Sequence, residues 1–220
     1  MRLTLIKGCL IALALLTFAF PGTLPAQVSA VDLKQTLERL RSAAAEVSPD
    51  FFGSGANDGG IAEVSRLKAA VDWLYGRTET TDPAGVSPEY LRSLQRAAEL
   101  LKRRPSTDAV RDVTTELEAK VEHCRLLGVG MGGSVALKIN TRSPSGPVSD
   151  WQVVYLLKIY EYVSGASPIN FPRLSTPTDA TVEPGRYWVW ARDPATGRTS
   201  ERALVRVVGQ KELLVDLPVP

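Results

Sequence analysis

The residues best suited to chemistry are few, and their spacing argues against an active site. His123 is the only histidine, which puts a multi-histidine zinc site out of reach. Cys124 follows it on a helix, where successive side chains point about 100° apart, so the two do not face each other as base and nucleophile. Cys124 lies on an apolar stripe and reads as a buried, inert thiol, with His123 as a flanking residue. Phe52-Gly53-Ser54-Gly55 lacks the spacing of a nucleophile elbow and connects helices rather than a strand and a helix. Asn57-Asp58-Gly59 has residue types of a calcium loop, but Gly53 and Gly55 stand where further oxygen ligands are needed. Gly128, Gly130 and Gly133 have dinucleotide-loop spacing, yet that loop works between a strand and a following helix. Here a helix precedes the glycines and a strand follows. Gly128 reads as a helix C-cap and residues 128–133 as a glycine-rich hinge. No catalytic residue, metal, cofactor or nucleotide is therefore expected.

The first thirty residues read as a secretory signal peptide. Arg2 and Lys7 precede an apolar run from Cys9 to Phe20, too short to span a membrane, and Pro21-Gly22 breaks it. Cleavage is expected after Ala26 or after Ala30, which makes the protein exported, periplasmic or extracellular, with no stable membrane span. The full chain carries a net charge of +2. Removing residues 1–30 takes away Arg2 and Lys7 and leaves 24 basic against 24 acidic residues. That balance lacks the electrostatic footprint of a nucleic-acid binder. One cysteine, Cys124, remains, so there is no internal disulfide.

Residues 31–127 have helical periodicity. Leu33, Leu37, Leu40, Ala44 and Val47 form one stripe, and Ile61, Val64, Leu67, Val71 and Leu74 a second. Ser87-Pro88-Glu89 starts a third helix carrying Leu91, Leu94, Ala98 and Leu101. The fourth runs from about Asp108 to Leu127 behind a Ser106/Thr107 cap, with Val110, Val113, Leu117, Val121 and Cys124 inward. Four amphipathic helices with short connections predict an antiparallel bundle.

From residue 134 the period becomes two. Val135, Leu137 and Ile139 alternate with polar residues, Trp151 to Tyr162 predict a longer strand, and a proline-punctuated loop over 164–184 leads to a strand over 186–192. Asp193-Pro-Ala-Thr-Gly197 is a hairpin signal, and strands follow near 200–208 and 212–219. The fold class is α+β in two parts, a four-helix bundle (31–127) followed by an antiparallel β-sandwich (134–220).

Thr178-Asp-Ala-Thr-Val-Glu-Pro-Gly-Arg-Tyr-Trp-Val-Trp-Ala191, with Leu204-Val-Arg-Val-Val-Gly209 and Leu214-Val-Asp-Leu-Pro-Val219, resembles the second half of a carboxypeptidase-regulatory-like or transthyretin-like module. The resemblance implies a prealbumin-like sandwich, an accessory or adhesive part that brings no active site. The helical half resembles no known family.

Trp188 and Trp190 depart from that family's pattern. With Tyr187, Val189 and Ala191 pointing inward, alternation puts Arg186, Trp188, Trp190 and Arg192 on the opposite face, joined by Val154 and Leu156. An apolar outer face is either covered by the helices or free to bind. The expected function is an exported, non-catalytic structural or protein-interaction protein that docks through this face, with an envelope protein or a glycan as partner. The alternatives are a carbohydrate-binding accessory module and an enzyme with its site between the halves. Converging Asp, Glu or Arg groups in a pocket would favour the last.

Overall fold

A computed structural model describes residues 27–52, 57–103, 105–162, 169–209 and 212–220. Residues 1–26, the bulk of the segment expected to be a signal peptide, and residues 53–56 of the glycine-rich loop lie outside them. The chain is α+β. The helical half comprises α1 (Ala30–Ala45), α2 (Asn57–Gly76), α3 (Pro88–Lys102) and α4 (Thr107–Leu127). Helix α1 packs on α2 and α3, and α2 packs on α4.

Local chemistry sets the helix ends. The Ser29, Ser87 and Ser106 side chains accept hydrogen bonds from the N–H groups of Asp32, Tyr90 and Ala109, each satisfying a donor that the first turn leaves unpaired. Gly128 closes α4 in a left-handed conformation with φ 64°. Asn57, Asp58 and Gly59, the residues reminiscent of a calcium loop, stand in the first turn of α2. Ile61 departs from its expected stripe and is 52 % exposed, while Ala70 joins Val64, Leu67, Val71 and Leu74 in the core. Ser29 belongs to the folded chain, and Val28 before it is buried. Ser29→Ala is expected to cost about 1 kcal/mol, read as a lower urea midpoint with an unchanged slope.

The β half has two four-stranded sheets. In the first, β1 (Val135–Ser143) pairs on one edge with β5 (Thr178–Val182) and with the short β2 (Gly146–Val148), and on the other with β8 (Glu212–Pro218). The β1–β8 pair is parallel, the exception in an otherwise antiparallel fold. In the second sheet the order is β4 (Ile169–Ser175), β3 (Gln152–Leu157), β6 (Gly185–Arg192), β7 (Ala203–Val207). The Asp193–Gly197 turn lies between β6 and β7 as expected, closed by the Gly197 N–H on the Asp193 carbonyl.

Two stretches differ from the sequence reading. The strand predicted over 151–162 stops at Leu157 and continues as a 3-10 turn, Lys158–Tyr162. The expected loop over 164–184 holds β4 and β5. Prolines hid them, but Pro172 sits in a strand paired on one side only, where a missing N–H is tolerated. The connection 129–134 is packed rather than loose: the Met131 N–H donates to Thr81 Oγ1, and Gly133 lies against the His123 ring.

Candidate functional site

Helix α4 holds the two halves together, and it does so with charge. Val110, Val113, Leu117, Val121 and Cys124 are buried as the periodicity requires. A second row, Glu116, Lys120 and His123, spaced four and three, is buried too and meets the β half. Lys120 Nζ donates to the carbonyl of Pro184 at 2.8 Å and lies 3.2 Å from Glu116 Oε1 and 3.4 Å from Glu183 Oε1, with the Tyr90 ring centroid at 4.5 Å. Glu116 Oε2 accepts the Arg186 N–H at 2.9 Å. Gly185 is what lets α4 come this close, since a Cβ there would stand 2.4 Å from Glu116 Oε1.

Burial alone would lower the Lys120 ammonium, but Glu183 and Glu116 outweigh it and hold the lysine above its ordinary value. Burial pushes the Glu183 carboxyl up, with Glu116 adding to the rise and Lys120 opposing it. Two carboxyls thus share one ammonium, and Glu183 Oε2 is buried with no hydrogen-bond partner among the described residues.

Glu183 also borders a cleft of about 880 Å³ between α3 and the near end of the sandwich. One wall is the outward face of α3, with Glu89, Arg92, Gln95, Arg96 and Glu99 at spacings of three, three, one and three. Arg92 is paired with Glu89, and Arg96 Nη1 lies 2.8 Å from Glu99 Oε2. The facing wall carries Tyr155, Leu157, Tyr160 and Tyr187. Tyr155 and Tyr187 meet edge to face at 5.8 Å, and the Tyr187 hydroxyl donates to the Glu183 carbonyl at 3.0 Å. The Arg96 guanidinium is 5.8 Å from the Tyr160 ring centroid. Burial pushes the Tyr160 hydroxyl up to about 12 and raises the Tyr155 and Tyr187 hydroxyls as well, so all three stay protonated at neutral pH.

No family model, no curated protein and no solved structure matches the chain. Its site is therefore read from its own geometry.

His123 is not the flanking residue that the sequence suggests. It is fully buried, and its Nδ1 accepts the Gly209 N–H at 3.0 Å, joining α4 to the chain after β7. Burial, with the Lys120 charge adding to it, lowers its affinity for a proton. The fold therefore favours the neutral ring, and His123 contributes stability that is present above its ordinary pKa of 6.5 and lost as pH falls below it. A urea midpoint series from pH 7.5 to 5.5 should show a loss of at most about 1.4 kcal/mol per pH unit from this group. The His123→Gln variant should lack that increment, and identical slopes would remove the assignment.

The residues singled out on the outer sheet face have the predicted phase but do not form an open ledge. Trp190 is only 8 % exposed, packed with Val154 and Leu156 in a small cluster that Trp188 and Tyr160 extend. The Arg202 guanidinium lies 4.7 Å from the Trp190 ring centroid, and the Lys158 ammonium 5.0 Å from that of Trp188. Trp188 Nε1 is buried without a hydrogen-bond partner among the described residues. Arg186 turns to α4 and bonds Asp112 Oδ1 at 3.0 Å; Arg192 stays exposed. The described apolar members of this cluster come from β3, β6 and the 158–162 turn. The helices reach the same face at its edge with polar groups, Asp112 to Arg186 and Lys158, Glu122 to Arg206, and Arg96 over the Tyr160 ring.

The sequence reading missed Glu116, Lys120, Glu183, the tyrosines and the α3 arginines. One signal was present: ionisable residues repeat at the helical interval beside the apolar stripe of α4, which marks a second buried face.

Proposed function

We propose that this is an exported, non-catalytic binding protein whose ligand sits in the cleft between the helical half and the β-sandwich. The observation that carries the reading is the cleft itself, with paired arginines and glutamates on α3 facing Tyr155, Leu157, Tyr160 and Tyr187. Mostly apolar walls with a few placed polar groups are the usual make-up of a ligand site. Glu89, Arg92, Arg96, Glu99 and Glu183 do converge on the cleft, the arrangement that would favour an enzyme, but the four on α3 are held in Arg–Glu pairs and Glu183 is tied to Lys120. Cys124 is buried and His123 Nδ1 holds a backbone N–H. The β half is taken as a transthyretin-like module, a reading supported by its two four-stranded sheets. Signal cleavage after Ala26 fits better than after Ala30, because it keeps the buried Val28 and the Ser29 cap.

The test is a fragment screen observed on the protein by two-dimensional NMR. Hits should concentrate on amides of Gly133, Tyr155, Tyr160 and Thr181. Hits confined to other surfaces, or none, would remove the cleft as the site. A second reading, docking of a partner protein on the outer sheet face, is favoured by Leu204, which pairs across from Trp188 and is 43 % exposed. In that case the shifts would appear at Trp188 and Leu204 instead.

A further inference from the structure

We infer that the cleft takes an uncharged, polyhydroxylated ligand, a neutral oligosaccharide, an inference that rests on the cleft being the binding site. The α3 wall sets two guanidinium donors, Arg92 and Arg96, between two carboxylate acceptors, and each guanidinium has its own carboxylate three residues away, Arg92 with Glu89 and Arg96 with Glu99. Charges matched in this way leave the α3 wall with no net charge, and Glu183 at the cleft border shares its one counter-ion with Glu116, so a phosphate or other polyanion meets no excess of positive charge. A hydroxyl both donates and accepts, and a row of hydroxyls can bond neighbouring guanidinium and carboxylate groups without either losing its partner. The facing wall suits the other side of a sugar ring. Tyr160 is half-buried and lines this wall, with the Arg96 guanidinium over its ring at 5.8 Å from the centroid, so a sugar would meet an aromatic edge and a guanidinium side by side. A cleft of about 880 Å³ has the volume of a small-ligand site.

The recognition is therefore placed in the cleft, at Tyr160, which packs against the Trp188 and Trp190 cluster from the side, and not on the tryptophans, where aromatic stacking would be sought from the sequence. Four probes of different linkage and stereochemistry test it: maltohexaose, cellohexaose, xylohexaose and chitohexaose, each titrated into the protein calorimetrically and by two-dimensional NMR. The expected result is saturable binding of at least one, with shifts at Tyr160 and along α3, weakened by about tenfold or more in Tyr160→Ala and in Arg96→Gln. Tyr160→Phe keeps the ring and should bind nearly as well, which separates stacking from loss of fold, and Leu204→Ala on the outer face should bind unchanged. If no probe binds at about 10 mM while fragments still map to the cleft, the glycan assignment fails and the cleft stands, with a peptide as the next ligand to try. Failure of both fragments and sugars overturns the cleft together with its ligand. Binding that survives both Tyr160→Ala and Arg96→Gln, or that shifts Trp188 and Leu204 instead, overturns the placement of the sugar.

Discussion

Replacing Lys120 with methionine is expected to lower the unfolding free energy by about 3–5 kcal/mol at pH 7. The side chain is wholly buried, and its ammonium lies against Glu116 Oε1, Glu183 Oε1 and the Pro184 carbonyl. Methionine fills much the same space, so the loss is mainly electrostatic: two carboxyls stay buried without their shared counter-charge. The effect should shrink on acidification, because Glu183 already has a raised pKa and takes a proton first. Adding Glu116→Gln and Glu183→Gln to Lys120→Met should recover a substantial part of the loss, since no bare charge then remains. Urea unfolding of the single and triple variants at pH 7 and pH 5 measures both effects. A loss below about 1 kcal/mol at pH 7 would show that the group is solvated rather than buried.

Gly132→Ala is the second large effect. Gly132 has φ +106°, and a Cβ there would stand 2.3 Å from the Gly85 carbonyl oxygen and 3.2 Å from the Val86 Cα. The obstacle is backbone, not the flexible end of a side chain, so relief requires moving the connection after α4 or the turn before α3. Strain in the backbone and overpacking together should cost about 3 kcal/mol or more. Gly128→Ala makes a useful contrast: φ is +64° but nothing lies within 4 Å of the added Cβ. It should cost about 1 kcal/mol. Equal costs at the two positions would mean that residues 129–134 are not packed in solution.

The contrast also shows what could and could not be read before the fold was known. The Ser29 cap was missed because residues 1–30 read as one signal segment. The caps of α3 and α4 were legible because Ser87 and Ser106 act within three residues of themselves, and the apolar stripes of α1, α3 and α4 follow a local period. Trp188 and Trp190 had the right strand phase for the same reason. Gly128 was legible as a cap, whereas the role of Gly132 depends on Gly85, some forty-seven residues away, and nothing local announces it. β4 and β5 were missed because prolines at positions 172 and 177 outweighed a short alternation that pairing with β3 and β1 stabilises. The candidate site was least legible. Lys120 and Glu183 are ordinary charged residues until α4 and the start of β6 are brought together across Gly185, and Arg96 meets Tyr160 only in three dimensions.

The central claim is that the two halves form one unit, clamped by the Lys120 group, with the cleft as a product of that clamp. Denaturant unfolding followed in parallel by far-UV circular dichroism, which reports the helices, and by tryptophan emission, three of whose four sources (Trp151, Trp188 and Trp190) are in the β half, tests it most directly. The account predicts coincident transitions with a single midpoint, both moved to lower denaturant together in Lys120→Met. Two separated transitions, with Lys120→Met moving only one of them, would contradict it.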